Sequence, residues 1–331
     1  MAVSIRADSP AAASLKSLVR GYLLTQRTEG KSPATQVYRS GILGRFLWFA
    51  DTRGWSDDAR VVDEWHIREF LGYVGTEVNR WATQGNGSES SSRRASTRTV
   101  HHYYSVLRAF FNWSTREGFL KTSPVTNVKV ARPKRKLVHP YSPEQVKKMI
   151  EVCERDYRSG AKFLGSRNKV LLLAFLDTGL RLQEMAGLKR QDIDEQRGWI
   201  TVLGKGGKQR VVRIGTVTQK ALWSYLVHRG DNIRPEVWLT EERRPLRAHG
   251  IQAMIDSVKR RAGIDDGGGA HRFRHSFALA FLRSDRNAFN LQYLLGHETL
   301  DMTRQYISTL GQEDALKAHE QASPVDMLGL R

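Results

Sequence analysis

The chain has 331 residues, of which 40% are hydrophobic and 26% charged, as in ordinary globular proteins, and this length suffices for two domains. No apolar run approaches the ~18 residues needed to cross a membrane, and residues 1–10 lack a signal-peptide core, which predicts a cytoplasmic protein without a membrane partner. The single cysteine, Cys153, excludes an internal disulfide and a cysteine-based zinc site.

The net charge of +19 is the most informative property of the composition. It predicts a polyanionic partner, with nucleic acid favoured over an anionic membrane surface, although a basic protein can also be merely soluble. Residues 1–130 carry +7 and the remaining 201 residues carry +12. We therefore expect both halves of the chain to contact the backbone of a nucleic acid.

Residues 14–130 show the pattern of a helical region. Ser32 and Pro33 predict a helix start, because serine can cap the first turn and proline is tolerated there. Two sets of apolar residues at roughly helical spacing are predicted to form a core: Val37, Ile42, Phe46 and Phe49, and then Val100, Tyr104, Leu107 and Phe111.

A basic segment with several prolines follows, and we place an interdomain linker at residues 131–141. Five basic residues lie in or beside this linker and are candidates for contacts with a DNA backbone: Lys129, Arg132, Lys134, Arg135 and Lys136. Such a segment can lie along phosphates, or it can be a solvated tether, and the sequence supports both interpretations equally.

The C-terminal region combines helices with a short hairpin. Ser142 and Gln145 predict a capping box at a helix start, and residues 170–176 form an apolar run that predicts a buried element. Residues 199–203 and 210–214 have β-like patterns and are joined by a glycine-rich turn, which predicts a hairpin. Helical patterns then continue to about residue 310.

Four short patterns in this region contain residues that could carry chemistry. They are Arg181 and Glu184 in the segment TGLRLQE, Lys205 in the hairpin turn, His271 and Arg274 in HRFRH, and His297 in a Gly-His pair nine residues before Tyr306. Each alone has an ordinary explanation, such as a surface ion pair, a solvated lysine, a partly buried histidine or a core tyrosine. The i, i+4 spacing of His271 and His275 also suits zinc, but no third ligand lies nearby, so no metal is predicted.

Together and in this order, the patterns resemble the signature of the tyrosine recombinase and integrase family, strongly over residues 140–310 and less specifically before them. The resemblance implies a mainly α fold, arranged as a two-domain DNA clamp. Its parts would be a helical, SAM-like core-binding domain at 1–130 and a catalytic domain at 142–311. The catalytic domain would be mixed α/β, mostly helical with a small antiparallel sheet, and residues 312–331 would be a C-terminal segment exchanged between subunits.

The resemblance also implies roles for the principal catalytic residues. Tyr306 would attack a DNA phosphorus and form a 3′-phosphotyrosyl link, while Arg181 and Arg274 would bind the phosphate oxygens as a clamp. Lys205 corresponds to the general acid that protonates the leaving 5′-hydroxyl. No metal and no other cofactor is implied, because arginine, lysine and histidine supply the positive charge.

Three histidines and one carboxylate complete the implied site. His271 would assist the tyrosine proton, and His297 would donate to a phosphate oxygen. Glu184 would support neighbouring residues through hydrogen bonds, and His275 is interpreted as structural.

The family further implies an assembly on DNA. Recombination through a Holliday junction needs four active sites, so we expect a nucleoid-associated homo-tetramer on double-stranded DNA with a specific recombination site. A second recombinase or an accessory protein is left open. Few residues precede the first helix, so no arm-binding domain is expected, as in dimer resolvases, transposon resolvases and small mobile-element integrases. The alternatives are a type IB topoisomerase, a telomere resolvase and a catalytically silent DNA-binding protein.

Overall fold

The computed structural model describes residues 14–77, 94–133, 139–204, 207–230, 234–285, 287–307, 310–311, 314 and 316. The chain divides into two compact units, residues 1–136 and 137–331. Both are mostly helical and the second contains a small antiparallel sheet, which confirms the predicted fold class. None of the helices in these ranges combines the length and the apolar character needed to cross a bilayer.

The described part of the N-terminal unit is helical. Its helices are α1 (Leu15–Thr28), α2 (Pro33–Thr52), α3 (Glu64–Thr76) and α4 (Thr97–Arg116). The predicted start of α2 is confirmed, because the Ser32 hydroxyl accepts a hydrogen bond from the Thr35 backbone N–H at 3.3 Å.

Aromatic side chains fill the interior of this unit. Phe46 is fully buried, and its ring centroid lies 5.1 Å from that of Phe70 and 6.0 Å from that of Phe111. The predicted core sets pack here, but the prediction is wrong at Val37, which is 73% exposed. The reason is geometric: Val37 precedes Ile42 by five residues, which places it about 140° around the helix from the buried stripe.

The C-terminal unit contains a longer series of elements. In chain order they are α5 (Pro143–Arg158), α6 (Lys162–Thr178), α7 (Leu182–Ala186), β1 (Ile193–Asp194), β2 (Trp199–Leu203), β3 (Gln209–Arg213), α8 (Thr216–Arg229), α9 (Ala248–Arg261), α10 (Ala270–Ser284), α11 (Ala288–Leu295) and α12 (Leu300–Ile307). The predicted capping box of α5 is confirmed, with Ser142 and Gln145 satisfying each other's backbone N–H groups.

The sheet has the order β1-β2-β3, and both pairings are antiparallel. Trp199 lies opposite Arg213 and Leu203 lies opposite Gln209, which confirms the predicted hairpin. The tip of this hairpin, residues 205–206, lies outside the described residues.

Helix α6 occupies the middle of this unit and packs against α5, α8 and α10. The predicted buried run is confirmed, because Leu171, Leu172 and Phe175 have no exposed surface. Helix α5 approaches so closely that a Cβ atom at Gly165 would lie 2.5 Å from the Tyr157 backbone nitrogen. The central position of α6 matters for the site, which begins directly after its last residue.

Candidate active site

Five residues that the sequence analysis singled out line one cavity of about 430 Å³ in the C-terminal unit. They come from four separate parts of the chain, and they are Arg181, His271, Arg274, His297 and Tyr306. The cavity therefore combines two guanidinium groups, two imidazoles and one phenol, although more than 100 residues separate the first of them from the last.

A glycine with a left-handed backbone conformation begins the site. Gly179 ends α6 at φ +59°, and a Cβ atom there would lie 2.4 Å from Cδ1 of Phe277. Its carbonyl accepts a hydrogen bond from Nη1 of Arg274 at 2.7 Å. The turn thus connects the end of α6 to one catalytic candidate and leads directly to the other, Arg181.

Arg181 precedes the first turn of α7 and is held there by Glu184. One carboxylate oxygen accepts from the Arg181 backbone N–H at 2.8 Å, and the other accepts from its Nη1 atom at 3.0 Å. The Glu184 side chain is only 8% exposed, so the pair is not an ordinary surface ion pair. Burial opposes ionisation of Glu184, but hydrogen bonds from Arg210 and Arg181 outweigh it and lower the pKa of the carboxyl group.

Arg274 is almost completely buried on α10. Besides the Gly179 carbonyl, it donates from Nη2 to the carbonyl of Leu295 at 2.8 Å, and it hydrogen-bonds Tyr306. Burial, reinforced by the charge of Arg181, lowers the pKa of Arg274 to about 10, so the group is still a cation at neutral pH.

Tyr306 lies on α12, which packs against α10 and α11 through a small apolar cluster that includes the tyrosine itself. Its ring is parallel to that of His297, with centroids 6.0 Å apart, and meets the His275 ring edge-on at 4.9 Å. Burial raises the pKa of Tyr306, while the charge and the hydrogen bond of Arg274 oppose that rise. The hydroxyl is consequently protonated at neutral pH and needs a base before it can attack.

The histidines of the site are neutral at physiological pH. Desolvation, followed by the charges of Arg274 and Arg181, lowers the pKa of His271. Desolvation and nearby arginines lower the pKa of His297 to about 4, and its Nδ1 atom lies 2.8 Å from Oγ1 of Thr303. His271 can therefore accept a proton rather than carry one.

Several residues predicted to contact DNA or to act as an acid lie in parts of the chain that are only partly described. Lys205 lies outside the described residues, but its neighbours Gly204 and Lys208 line a second cavity, which also includes Arg181 and His297. Lys129 and Arg132 are exposed. The remaining linker candidates, Lys134, Arg135 and Lys136, and nearly all of 312–331 lie outside the described residues.

The structure also identifies partners that the sequence analysis missed. Arg210 on β3 is 6% exposed and forms a two-pronged ion pair with Glu184, and Thr303 contacts His297. A signal for Arg210 exists in the sequence, because Arg210 and Val212 alternate with exposed residues along β3 and both face inward.

In the described ranges, no three His, Cys, Asp or Glu side chains are grouped so that they could hold a metal ion.

Comparison with known proteins agrees with this geometry. Residues 141–313 match the phage integrase family. A relative named tyrosine recombinase XerC, from Lactobacillus leichmannii, is 32% identical over 223 residues, which are 66% of this chain and 74% of the relative. The chain belongs to the phage integrase family of tyrosine recombinases. The predicted family membership is confirmed.

Other relatives extend the similarity along the chain. A tyrosine recombinase XerC from Xanthomonas campestris pv. campestris (strain B100) is 28% identical and covers 95% of this chain and 91% of its own length. The Tn1549 transposon integrase, solved with a circular intermediate DNA, has a TM-score of 0.69 at 17% identity, covering 94% of this chain and 99% of that one. XerH site-specific recombinase, solved with its difH substrate after cleavage, has a TM-score of 0.65 at 20% identity, covering 91% and 82%. The two structures show a shared fold.

Family membership fixes the class of activity. The protein is a tyrosine-type site-specific recombinase, an enzyme that cleaves and rejoins DNA strands. The topoisomerase and binding-only alternatives are not favoured.

Proposed function

We propose that the cavity lined by Tyr306 is where this recombinase cleaves DNA, with Tyr306 as the nucleophile. The observation that carries the proposal is the meeting of Arg181, His271, Arg274, His297 and Tyr306 around one space. A phenol hydrogen-bonded to a buried guanidinium is well placed to meet a phosphate, because the same guanidinium can bind the phosphate oxygens.

The two arginines form the phosphate clamp. Attack on phosphorus adds negative charge to the non-bridging oxygens, and guanidinium groups stabilise it because they stay charged and donate in a fork. Arg274 is fixed by two backbone carbonyls, and Arg181 by Glu184, so neither has to reorganise much when the charge develops. Preorganised donors of this kind contribute roughly 3–4 kcal/mol each to lowering a barrier.

The protons move in a balanced cycle. The Tyr306 hydroxyl oxygen bonds to phosphorus while its proton passes to neutral His271, and the bond from phosphorus to the 5′-oxygen breaks. Lys205 donates the proton that this leaving oxygen requires. Rejoining reverses each step, and the phosphotyrosyl link conserves the energy of the broken bond.

Thr303 sets the role of His297. A neutral imidazole donates from only one nitrogen, and Nδ1 of His297 is already engaged with the Thr303 hydroxyl. We propose that this hydroxyl donates to Nδ1, so that the proton resides on Nε2 and can bond to a phosphate oxygen. Thr303 is therefore the residue that selects the donating tautomer.

The wider assembly follows from the chemistry of recombination. We propose that the substrate is double-stranded DNA with a specific site, and that four subunits exchange strands through a Holliday junction. The relatives solved with DNA support a DNA partner. The basic linker residues, the exchange of residues 312–331, the domain boundaries, the nucleoid location and any accessory protein stay predictions.

Covalent capture in cells tests the proposed function. Protein–DNA adducts are isolated without a crosslinker from cells with wild type or Tyr306→Phe, and the attached DNA ends are sequenced. We expect ends that cluster at one motif and vanish with Tyr306→Phe. Scattered ends would indicate a topoisomerase. If no adduct accumulates, a nicked trapping substrate prevents religation, and a second negative result would contradict the proposal.

A further inference from the structure

Arg210 is a buried cation that lines the second cavity together with Arg181 and His297, and the proposed reaction assigns it no role. We propose that Arg210 is a positioning residue, which fixes the start of α7 and the turn between α11 and α12 relative to each other. The first of these segments carries Arg181 and the second carries His297. The role rests on the proposed function of the cavity, since it concerns the alignment of groups around the scissile phosphate.

The first contact of Arg210 is with Glu184. Nη1 donates to one carboxylate oxygen at 3.0 Å and Nη2 to the other at 2.8 Å, and the two side chains are 6% and 8% exposed. The same carboxylate accepts from the backbone and the side chain of Arg181. Arg210 therefore holds the Glu184 carboxylate in place, and that carboxylate in turn holds Arg181.

The second contact is with the C-terminal end of α11, where helix carbonyls have no partner within the helix. Three guanidinium groups share the carbonyls of residues 294–296. Arg210 donates from Nε to the first at 2.8 Å, Arg274 donates to the second at 2.8 Å, and Arg181 donates to the second and third at 3.4 and 3.3 Å. The negative end of the helix dipole favours cations at this position.

The turn that follows α11 is shaped around the arginine. Gly296 has φ +63°, and a Cβ atom there would lie 2.9 Å from Nη1 of Arg210 and 3.2 Å from its Cδ atom. The glycine thus allows the guanidinium to pass directly beside the backbone that leads into His297.

Arg210 acts through other residues rather than on substrate. Its side chain is 6% exposed, and each of its three nitrogens donates to Glu184 or to the Leu294 carbonyl. It is anchored on β3 opposite Val202, within the hairpin whose tip contains Lys205. A rigid strand thereby braces two separate catalytic segments, and displacements of about 1 Å at such segments can cost about 100-fold in rate.

The test uses the full chain and nicked DNA carrying the captured recombination site. Single-turnover adduct formation and DNA affinity are measured for wild type, Arg210→Met and Arg210→Lys. We expect Arg210→Met to slow adduct formation about 100-fold while Kd changes less than about 3-fold. Arg210→Lys should be intermediate, since it keeps the charge without the fork, and it serves if the methionine variant does not fold.

Arg167→Met is the matched control. Arg167 is also 6% exposed and donates to a backbone carbonyl, that of Leu239, at 2.8 Å, but it lines neither the catalytic cavity nor the second cavity, which Arg210 lines. This variant should melt at a lower temperature and keep the wild-type rate per folded molecule. Equal slowing by Arg167→Met would overturn the positioning role.

Hydrogen exchange gives a readout that does not depend on activity. Amides of residues 294–299 should exchange faster in Arg210→Met than in wild type, and Arg167→Met should leave them unchanged. Unchanged exchange in Arg210→Met, or a rate within about 3-fold of wild type, would overturn the proposal. If wild type itself forms no adduct, the proposed function fails, and the exchange of these amides still decides whether Arg210 holds the turn.

Discussion

The two units differ in what their interiors are made of. Among the described residues of the N-terminal unit, buried side chains are apolar or aromatic, with Gln26 and Ser114 as the polar exceptions. The C-terminal unit buries a set of cations: Arg167, Arg210, Arg229, Lys259, Arg272 and Arg274. A buried charge costs free energy unless it is paired or hydrogen-bonded, whereas a packed aromatic core stabilises directly. The interior of the first unit therefore serves packing, whereas that of the second also holds paired charges, two of which, Arg210 and Arg274, line the cavities of the candidate site.

The largest effect should come from Arg274→Lys. Lysine keeps the charge but cannot bind two carbonyls and a phosphate in a fork, so adduct formation should fall roughly 1000-fold. The matched variant is Arg272→Lys on the same helix. Arg272 is equally buried but pairs with Asp266 and the His139 carbonyl, away from the cavity. Its substitution should lower stability with little change in the rate of adduct formation per folded molecule. Equal rate losses in the two variants would show that the effect is not specific to the cavity.

Phe46→Ala tests the aromatic core of the N-terminal unit. Removing a fully buried ring that contacts several others should destabilise the N-terminal unit by about 3–5 kcal/mol, measured by urea unfolding. The rate of adduct formation per folded molecule should stay close to that of wild type, in contrast to the large loss expected for Arg274→Lys. Val37→Ala on the same helix is the control, since Val37 is exposed and its removal should be nearly neutral. A catalytic defect in folded Phe46→Ala would show that the units are not separable in this way.

Buried histidines make the C-terminal unit sensitive to acid. The pKa of His275 is lowered to about 4 by desolvation and by His271 and Arg274, whereas an unfolded histidine titrates near 6.5. Above about pH 6.5 both states are neutral, and below it the unfolded chain takes up the proton first, so stability falls until about pH 4. His275→Gln should reduce this loss by about 2–3 kcal/mol, measured as the difference in unfolding free energy between pH 7 and 4.5. An unchanged pH slope would contradict the buried neutral state.

The smallest of these effects should come from Thr303→Val. The substitution removes a hydroxyl that contacts His297 but preserves the shape of a fully buried side chain. Loss of the favoured tautomer should slow adduct formation about 10-fold, equivalent to about 1.4 kcal/mol. Thr218→Val, at a buried threonine of α8, should leave the rate unchanged. If Thr218→Val slows adduct formation as much as Thr303→Val does, the loss reflects packing and not the tautomer of His297.

Local features were predictable from the sequence, because they depend on neighbours in the chain. The caps at Ser32 and Ser142, the β2–β3 hairpin and the family signature belong to this class. Contacts between distant segments were not predictable. Arg210 reaches Glu184 across 26 positions and Leu294 across 84, and no local pattern pairs Arg210 with either of them. Val37 was assigned to the wrong face because a five-residue step was included in a helical pattern.

The most direct test of the account is to identify the residue that carries the DNA. Purified protein is trapped on nicked site DNA, digested with protease and nuclease, and the nucleotide-bearing peptide is sequenced by mass spectrometry. Tyr293 is the natural control, because it is 62% exposed and lines the cavity beside the site. We predict the nucleotide on Tyr306, with the adduct lost in Tyr306→Phe and retained in Tyr293→Phe. A nucleotide on Tyr293 or on any other residue would contradict the assignment of this cavity as the site of cleavage.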